Sequence, residues 1–340
     1  MKKKILIVGF GNVGKFYKSI LSNNKKNDIY VYDNKIKNKD IDFNSFHDVT
    51  RNIKQFSHVI ICTPSNLHFK LAEFFLKKNI NVLIEKPFVL KLEHANKLIK
   101  ITSKNKKLKC WTVLQNRYNK SIINFKKMIV KKNINPFFVN AQLMWNRTKK
   151  YYHTSWRGNY KSDGGVLMNQ AIHTLDLIIY LFGKVLSLEA KALFNKKKLQ
   201  AEDFVNISMK LQNNVICNFT ATTRANINYH GKIDVYDEKK RITIDGMSFN
   251  YFNFWKKNKK YRILDKSEVF KGNNPIFKAM GYGHKKILSE FLNEKKNKSS
   301  YDLEIEKNLY VLKIIHTIYY NINNKINQRL RLKKFKILGN

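Results

Sequence analysis

Short, largely apolar runs recur through the first third of the chain: Lys4–Val8, Ile29–Tyr32, Val59–Cys62, Asn81–Ile84 and Leu108–Leu114. Each is too short for a helix and too continuously apolar for a half-exposed strand, so each reads as a strand buried on both faces. Between them, apolar positions fall at helical spacing over about Val13–Ser22, Leu67–Lys77 and Leu92–Lys104. Strands alternating with helices at these lengths predict a doubly wound parallel sheet.

In the second half the spacing changes. Phe137–Asn146 reads as a strand, and Leu175, Ile178, Ile179 and Phe182 form the core stripe of a helix that opens near Val166. Ala201–Leu211 and Val215–Thr223 read as sheet strands around an Asn213-Asn214 turn, and residues 229–270 continue as strands and Lys-rich turns. An amphipathic helix opens at Gly281-Tyr282-Gly283-His284 and runs through Leu292, and a last one covers about Glu306–Asn323.

The first strand runs into Gly9-Phe10-Gly11-Asn12-Val13-Gly14 and then into a helix, so the GxGxxG spacing stands in the context that gives it meaning. Gly9 permits the tight turn, Gly11 lets backbone approach a pyrophosphate, and Gly14 lets helix and strand pack closely. The helix amino terminus then offers amide donors to phosphates. The next strand ends on Asp33, whose carboxylate can accept both ribose hydroxyls and would repel a 2′-phosphate. NAD is the cofactor this predicts.

Two further strand ends carry polar residues: Thr63-Pro64-Ser65-Asn66-Leu67-His68, where Ser65 or Asn66 can cap the following helix, and Glu85-Lys86-Pro87. Open α/β sheets place ligands at such carboxyl ends, and Pro87 biases Lys86 toward an extended, aimed conformation. A strand-capping surface ion pair fits Glu85-Lys86 equally well, and His68 alone reads as a helix-start residue. In the second half, Asn169, His173 and Asp176 fall at i, i+4 and i+7 and so share roughly one helix face. A buried structural histidine with a carbonyl partner explains His173 as well as a site does.

Composition narrows the classes. Three cysteines, Cys62, Cys110 and Cys217, show no paired spacing, which suits a reducing cytosol and gives no metal site. The net charge of +42 is spread along the whole chain with Asn and Ile, not gathered into a patch, and no zinc-finger, RNP or helix-turn-helix pattern accompanies it. No specific nucleic acid and no membrane is therefore expected, and an anionic small substrate suits the charge better.

Together, Gly9-x-Gly11-x-x-Gly14, Thr63-Pro64-Ser65-Asn66-x-His68 and Glu85-Lys86-Pro87 resemble the Gfo/Idh/MocA oxidoreductase family, over essentially the whole chain. The resemblance implies a Rossmann domain over 1–117 and, over 118–340, an α/β substrate domain with an open-faced, mostly antiparallel sheet. That sheet is often used for oligomerisation, so a cytoplasmic homodimer or homotetramer is expected, with the last helix packing back on the first domain. It implies Lys86 and His173 as catalytic residues and Asp176 as the acid that follows. Thr63, Pro64, Ser65, His68, Glu85, Lys86 and Gln115 would join Gly9 to Gly14 and Asp33 around NAD.

Two departures stand out: the family's aspartate on this helix is Asn169, and the glycine two positions on is Ala171. With Trp156-Arg157-Gly158 upstream, the segment is similar to the UDP-N-acetylglucosaminuronate 3-dehydrogenase branch. That implies NAD-dependent oxidation at C3 of a UDP-linked N-acetylated amino sugar or its uronate, for surface-polysaccharide sugars. Arg157 is then the leading candidate for the anionic group, with Arg117 and Arg147 behind it, and Asn169 would hold the sugar. Oxidation of a free polyol, inositol or cyclic sugar is the alternative. A non-catalytic NAD-binding sensor is the rival from another class, and a chain carrying both Lys86 and His173 argues against it.

Overall fold

Ile5, Leu6, Ile7 and Val8 lose all solvent contact in β1 (Lys3–Val8), and burial of each such side chain contributes about 1.5–3 kcal/mol. They lie on an interior strand of a five-stranded sheet in the computed structural model, which describes residues 2–152, 156–194, 201–229, 231–246, 248–249, 251–256, 259–264, 283–293 and 303–325. The chain continues through α1 (Asn12–Leu21), β2 (Asn27–Tyr32), α2 (Phe46–Arg51), β3 (His58–Ile61), α3 (Ser65–Lys77), β4 (Asn81–Ile84), α4 (Leu92–Ser103) and β5 (Cys110–Thr112). Strand order is β2-β1-β3-β4-β5 and every pairing is parallel. The order reverses between β1 and β3, which puts the ligand crevice over the carboxyl ends of those strands and of β4.

The expected cap of α3 is corrected. Pro64 occupies the N-cap and makes no side-chain bond, while Ser65 is already helical. The Pro64 carbonyl accepts Leu67 N–H at 3.0 Å, so the turn is closed by backbone.

The second domain opens with α5 (Lys120–Val130), β6 (Phe138–Met144) and the short α6 (Lys149–Tyr152). A π turn over Leu167–Ala171 then leads into α7 (Ile172–Phe182). Seven more strands follow: β7 (Val185–Phe194), β8 (Glu202–Leu211), β9 (Ile216–Thr222), β10 (Gly231–Asp237), β11 (Lys240–Gly246), β12 (Tyr251–Lys256) and β13 (Lys259–Leu264). They join β6 in the order β13-β12-β11-β10-β6-β9-β8-β7, antiparallel except for β6 with β9. Buried and accessible positions alternate along β6 and β8, so one face of this sheet is packed and the other open. Asn213 and Asn214 both adopt positive φ in the β8–β9 turn, as their residue type allows.

Two helices close the chain. Helix α8 (Gly283–Leu292) packs Ile287, Leu288 and Phe291 into the core of the parallel sheet. Helix α9 (Ile305–Lys325) touches both domains: His316 Nε2 lies 3.0 Å from Leu90 O, and Asn321 Oδ1 accepts Ala190 N–H at 2.8 Å. Residues 153–155 of the predicted aromatic loop, Gly281-Tyr282 before α8 and parts of the 229–270 stretch lie outside the described residues.

Candidate active site

The glycine loop is shaped as a cradle. Gly9 sits at φ +96°, and a Cβ there would meet the Cys62 carbonyl at 2.9 Å; a Cβ on Gly14 would land on the Gly9 carbonyl oxygen. A Cβ on Gly11 would meet nothing within 4 Å, so the space before α1 is open, and no side chain caps that helix. Uncapped amides at a helix amino terminus are what a pyrophosphate binds. Asp33, at the end of β2, accepts Phe10 N–H at 2.8 Å on one oxygen and the Lys35 and Ile36 amides at 2.8 and 2.9 Å on the other. The carboxylate therefore ties the glycine loop to the β2 turn. Thr63 Oγ1 is buried nearby in the fold without a hydrogen-bond partner. These residues fit a dinucleotide.

His68 does not face the crevice. Its ring is buried, with Nδ1 2.8 Å from Pro87 O and Nε2 2.8 Å from Thr63 O, so it latches the loop after β3 to the loop after β4.

Glu85 and Lys86 diverge at the end of β4. Glu85 is buried and accepts Tyr17 O–H, and Tyr17 Oη lies 3.0 Å from His284 Nδ1. Burial pushes the Glu85 carboxyl upward. Sequence reasoning missed Tyr17 and put a helix-start role for His284 ahead of an approach to the substrate pocket, whereas the structure brings His284 to the cleft; no local signal joins positions so far apart in the chain. Lys86 turns the other way and donates to Asn169 O at 2.7 Å and to Asn169 Oδ1 at 3.4 Å. Burial lowers its pKa, Glu85 and Asp163 oppose that, and Arg147 and Arg157 reinforce it.

The expected common face of Asn169, His173 and Asp176 is corrected. The π turn inserts an extra residue ahead of α7 and shifts Asn169 relative to the rest, and the three residues meet different partners. Asn169 donates to Asp163 and accepts Lys86. Asp176 is 2% exposed and forms a two-pronged ion pair with Arg117, which also donates to Asn308 Oδ1 at 2.8 Å. Arg117 is thereby withdrawn from the anion-binding candidates. His173 makes no ring hydrogen bond among the described residues. Burial holds its pKa well below the usual value, helped by Lys86 and then His284, so the imidazole is neutral and can accept a proton.

A cleft of about 270 Å³ gathers Val13, Glu85, Lys86, Gln115, His173 and His284, and is closed from the second domain by Trp145, Arg147, Gln170 and Phe249 among others. Gln115 and Thr174 line it, and their Oε1 and Oγ1 are buried without hydrogen-bond partners. Arg147 lies on the wall. Arg157 stands beside it, its guanidinium 4.3 Å from the Tyr151 ring centroid, with Arg147 over the same ring at 5.2 Å. Neither arginine pairs with a carboxylate among the described residues. Among the described residues, no His, Cys, Asp and Glu grouping could hold a metal, and no helix is long and apolar enough to cross a membrane.

Residues 3–112 match the model of an oxidoreductase family with an NAD-binding Rossmann fold, and residues 125–243 match the GFO/IDH/MocA C-terminal domain. An uncharacterised oxidoreductase of Synechocystis is 25% identical over 55% of this chain and 54% of its own length. The inositol 2-dehydrogenase of Rhizobium meliloti is 25% identical over 55% of this chain and 56% of its own. The chain thus spans about half the length of these curated relatives. Among solved structures, the WlbA dehydrogenase of Bordetella pertussis, in complex with NADH and UDP-GlcNAcA, shares the fold with a TM-score of 0.79. It is 21% identical, with 98% of this chain and 100% of that one covered.

Proposed function

The chain belongs to the Gfo/Idh/MocA oxidoreductase family, with an NAD-binding Rossmann domain, and on that premise we propose that it oxidises a secondary alcohol of an anionic nucleotide-linked sugar. The observation that carries this reading is the meeting of Lys86 and a neutral, unpartnered His173 in one cleft at the carboxyl end of β4. In this reading the loop from Gly9 to Gly14 holds the pyrophosphate, Asp33 the ribose, and Thr63 to Ser65 with Gln115 the approach to the ring. NAD, when bound, supplies the hydride acceptor. Lys86 donates a hydrogen bond to the substrate oxygen and stabilises its alkoxide character, while His173 takes the hydroxyl proton. Asn169, spent on Lys86 and Asp163, serves the ammonium and not the sugar.

Arg147 and Arg157, both free of carboxylates among the described residues, support an anionic group on the substrate, since guanidinium forks bind diphosphate or carboxylate in two-pronged fashion. WlbA carries such a ligand; the inositol dehydrogenase likeness supports a neutral polyol as the second reading. Turnover of UDP-N-acetylglucosamine, its uronate, myo-inositol and glucose is compared with NAD in excess. A UDP-sugar is expected to be turned over fastest, and Arg157→Ala and Arg147→Ala to raise its KM while leaving NAD affinity near normal. Faster turnover of inositol would transfer the proposal to the polyol. A homodimer or homotetramer is the proposed assembly.

A further inference from the structure

Asp163 is 2% exposed and makes no ion pair within reach of a hydrogen bond among the described residues. One of its oxygens accepts Gly158 N–H at 3.1 Å, and the other accepts Nδ2 of Asn169. A carboxylate can only accept, so it dictates which end of the Asn169 amide it meets. With Nδ2 committed to Asp163, Oδ1 is left facing Lys86 Nζ at 3.4 Å, beside the Asn169 carbonyl at 2.7 Å. We propose that Asp163 is a positioning residue for Lys86, fixing the polarity of the Asn169 amide so that the ammonium meets two acceptors and no donor. The proposal rests on the reading of Lys86 as the group that contacts the substrate oxygen.

The alternative is that Lys86 itself orients Asn169 and Asp163 merely satisfies Gly158. The two separate when Asp163→Asn is compared with the same change beside Asn169→Ala, where the charge is lost but there is no amide to turn. A larger fall in the Lys86 pKa with Asn169 present supports the proposal, and an equal fall overturns it. Gly158 N–H still requires an acceptor, so the substituted amide presents its oxygen there and turns its NH₂ toward Asn169. Asn169 must then flip to accept it, which points its own NH₂ at Lys86. The ammonium loses an acceptor, gains an opposed donor and loses the field of a carboxylate. The other groups facing it are unchanged: Glu85 on its own strand end, Arg147 and Arg157 across the cleft, and His173 on α7.

The swap Asp163→Asn with Asn169→Asp reverses the outcome. The amide at 163 donates to a carboxylate at 169, which touches Lys86 directly. It keeps the Gly158 bond and the bond between 163 and 169, so it reports on the proposal even where the single variant is unstable.

The test reads Lys86 itself. Acylation of Nζ in the full chain is followed by peptide mass spectrometry across pH, with and without NAD, beside the pH profile of turnover. Asp163→Asn is expected to lower the Lys86 pKa by about one unit, the lower range for removing a nearby opposite charge. The alkaline limb of turnover should move down with it, because the donor must be protonated. The swap is expected to bring the pKa back to the original value or above it. A Lys86 pKa unmoved in Asp163→Asn, or a swap no higher than the single variant, overturns the proposal. If labelling shifts as expected while the original chain turns over no alcohol, the positioning stands and the reading of Lys86 as a catalytic group fails.

Discussion

At the carboxyl end of the parallel sheet, Lys86 donates to one asparagine at the mouth of a cleft. At the amino end, Lys109 is 5% exposed and donates to Phe291 O at 2.9 Å and to Asn293 O, while Lys3 donates to Leu292 O. Those are the last carbonyls of α8, the negative end of a helix dipole. Each end also holds a histidine neutral. Burial, with Lys3 and Lys109, lowers His58 to about 4; burial, with Lys86 and His284, lowers His173 well below its usual value. The electrostatics are alike, so a shifted pKa does not distinguish the ends. Hydrogen-bonding capacity does: His58 lies 2.8 Å from Ser57 Oγ and is packed edge-on against Phe291, whereas the His173 ring has no partner among the described residues. Of the two histidines, His58 is held by its neighbours, and His173 faces its cleft with its ring unbonded among the described residues.

Four measurements would break or sharpen that contrast. The largest effect is expected at the histidines: His173→Gln should lower kcat by about 10²–10⁴, the usual contribution of a general base, and His58→Gln should barely change it. Equal losses would dissolve the distinction. Next come the lysines. Lys86→Ala should cost about a hundredfold or more in kcat with little change in Tm, while Lys109→Met should spare kcat and lower stability by about 2–4 kcal/mol, because it strands helix-end carbonyls in the core. A Lys86→Ala chain with normal kcat would make Glu85-Lys86 structural.

Third, the pH profile should report both lowered groups. His173 must be unprotonated, so its acid limb should lie well below the ordinary histidine range; Lys86 must be protonated, so activity should fall on the alkaline side before the ordinary lysine range is reached. An acid limb at about 6.5 would remove His173 from the base role. The smallest effect concerns burial without function. Glu202 accepts Leu167 N–H and Tyr319 O–H at 3.0 Å each, and burial pushes its carboxyl up to about 7. The folded state therefore prefers the proton. The penalty is absent below the ordinary glutamate pKa and grows as pH rises to about 7. Glu202→Gln should stabilise the fold by on the order of 2–3 kcal/mol at pH 8 and by little at pH 4, with turnover unaltered.

What the sequence discloses is what is local. Gly9 to Gly14, Asp33, and Glu85 beside Lys86 each declare themselves within a strand and its turn. The apolar runs set five parallel strands because burial on both faces leaves few other uses for them. Tyr17 with Glu85, Arg117 with Asp176, and Asp163 with Asn169 and Lys86 stay hidden because the fold, and not spacing, brings them together. Helical arithmetic misleads at Asn169, since a π turn breaks the 3.6-residue count just ahead of His173. Strand β7 escapes because it lies at the sheet edge and exposes Leu186 and Leu193, which blurs its alternation. Helix α5 escapes because a Lys-rich segment after the crossover reads only as connection.

Helix α9 is bonded at one flank to the loop after β4 and at the other to β7, and its Ile315 and Ile318 are buried between them. Neither domain can lose its structure without stripping apolar surface from this shared element. The two halves are therefore one cooperative unit, and a calorimetric scan should show a single transition in which the cofactor domain and the substrate domain melt together.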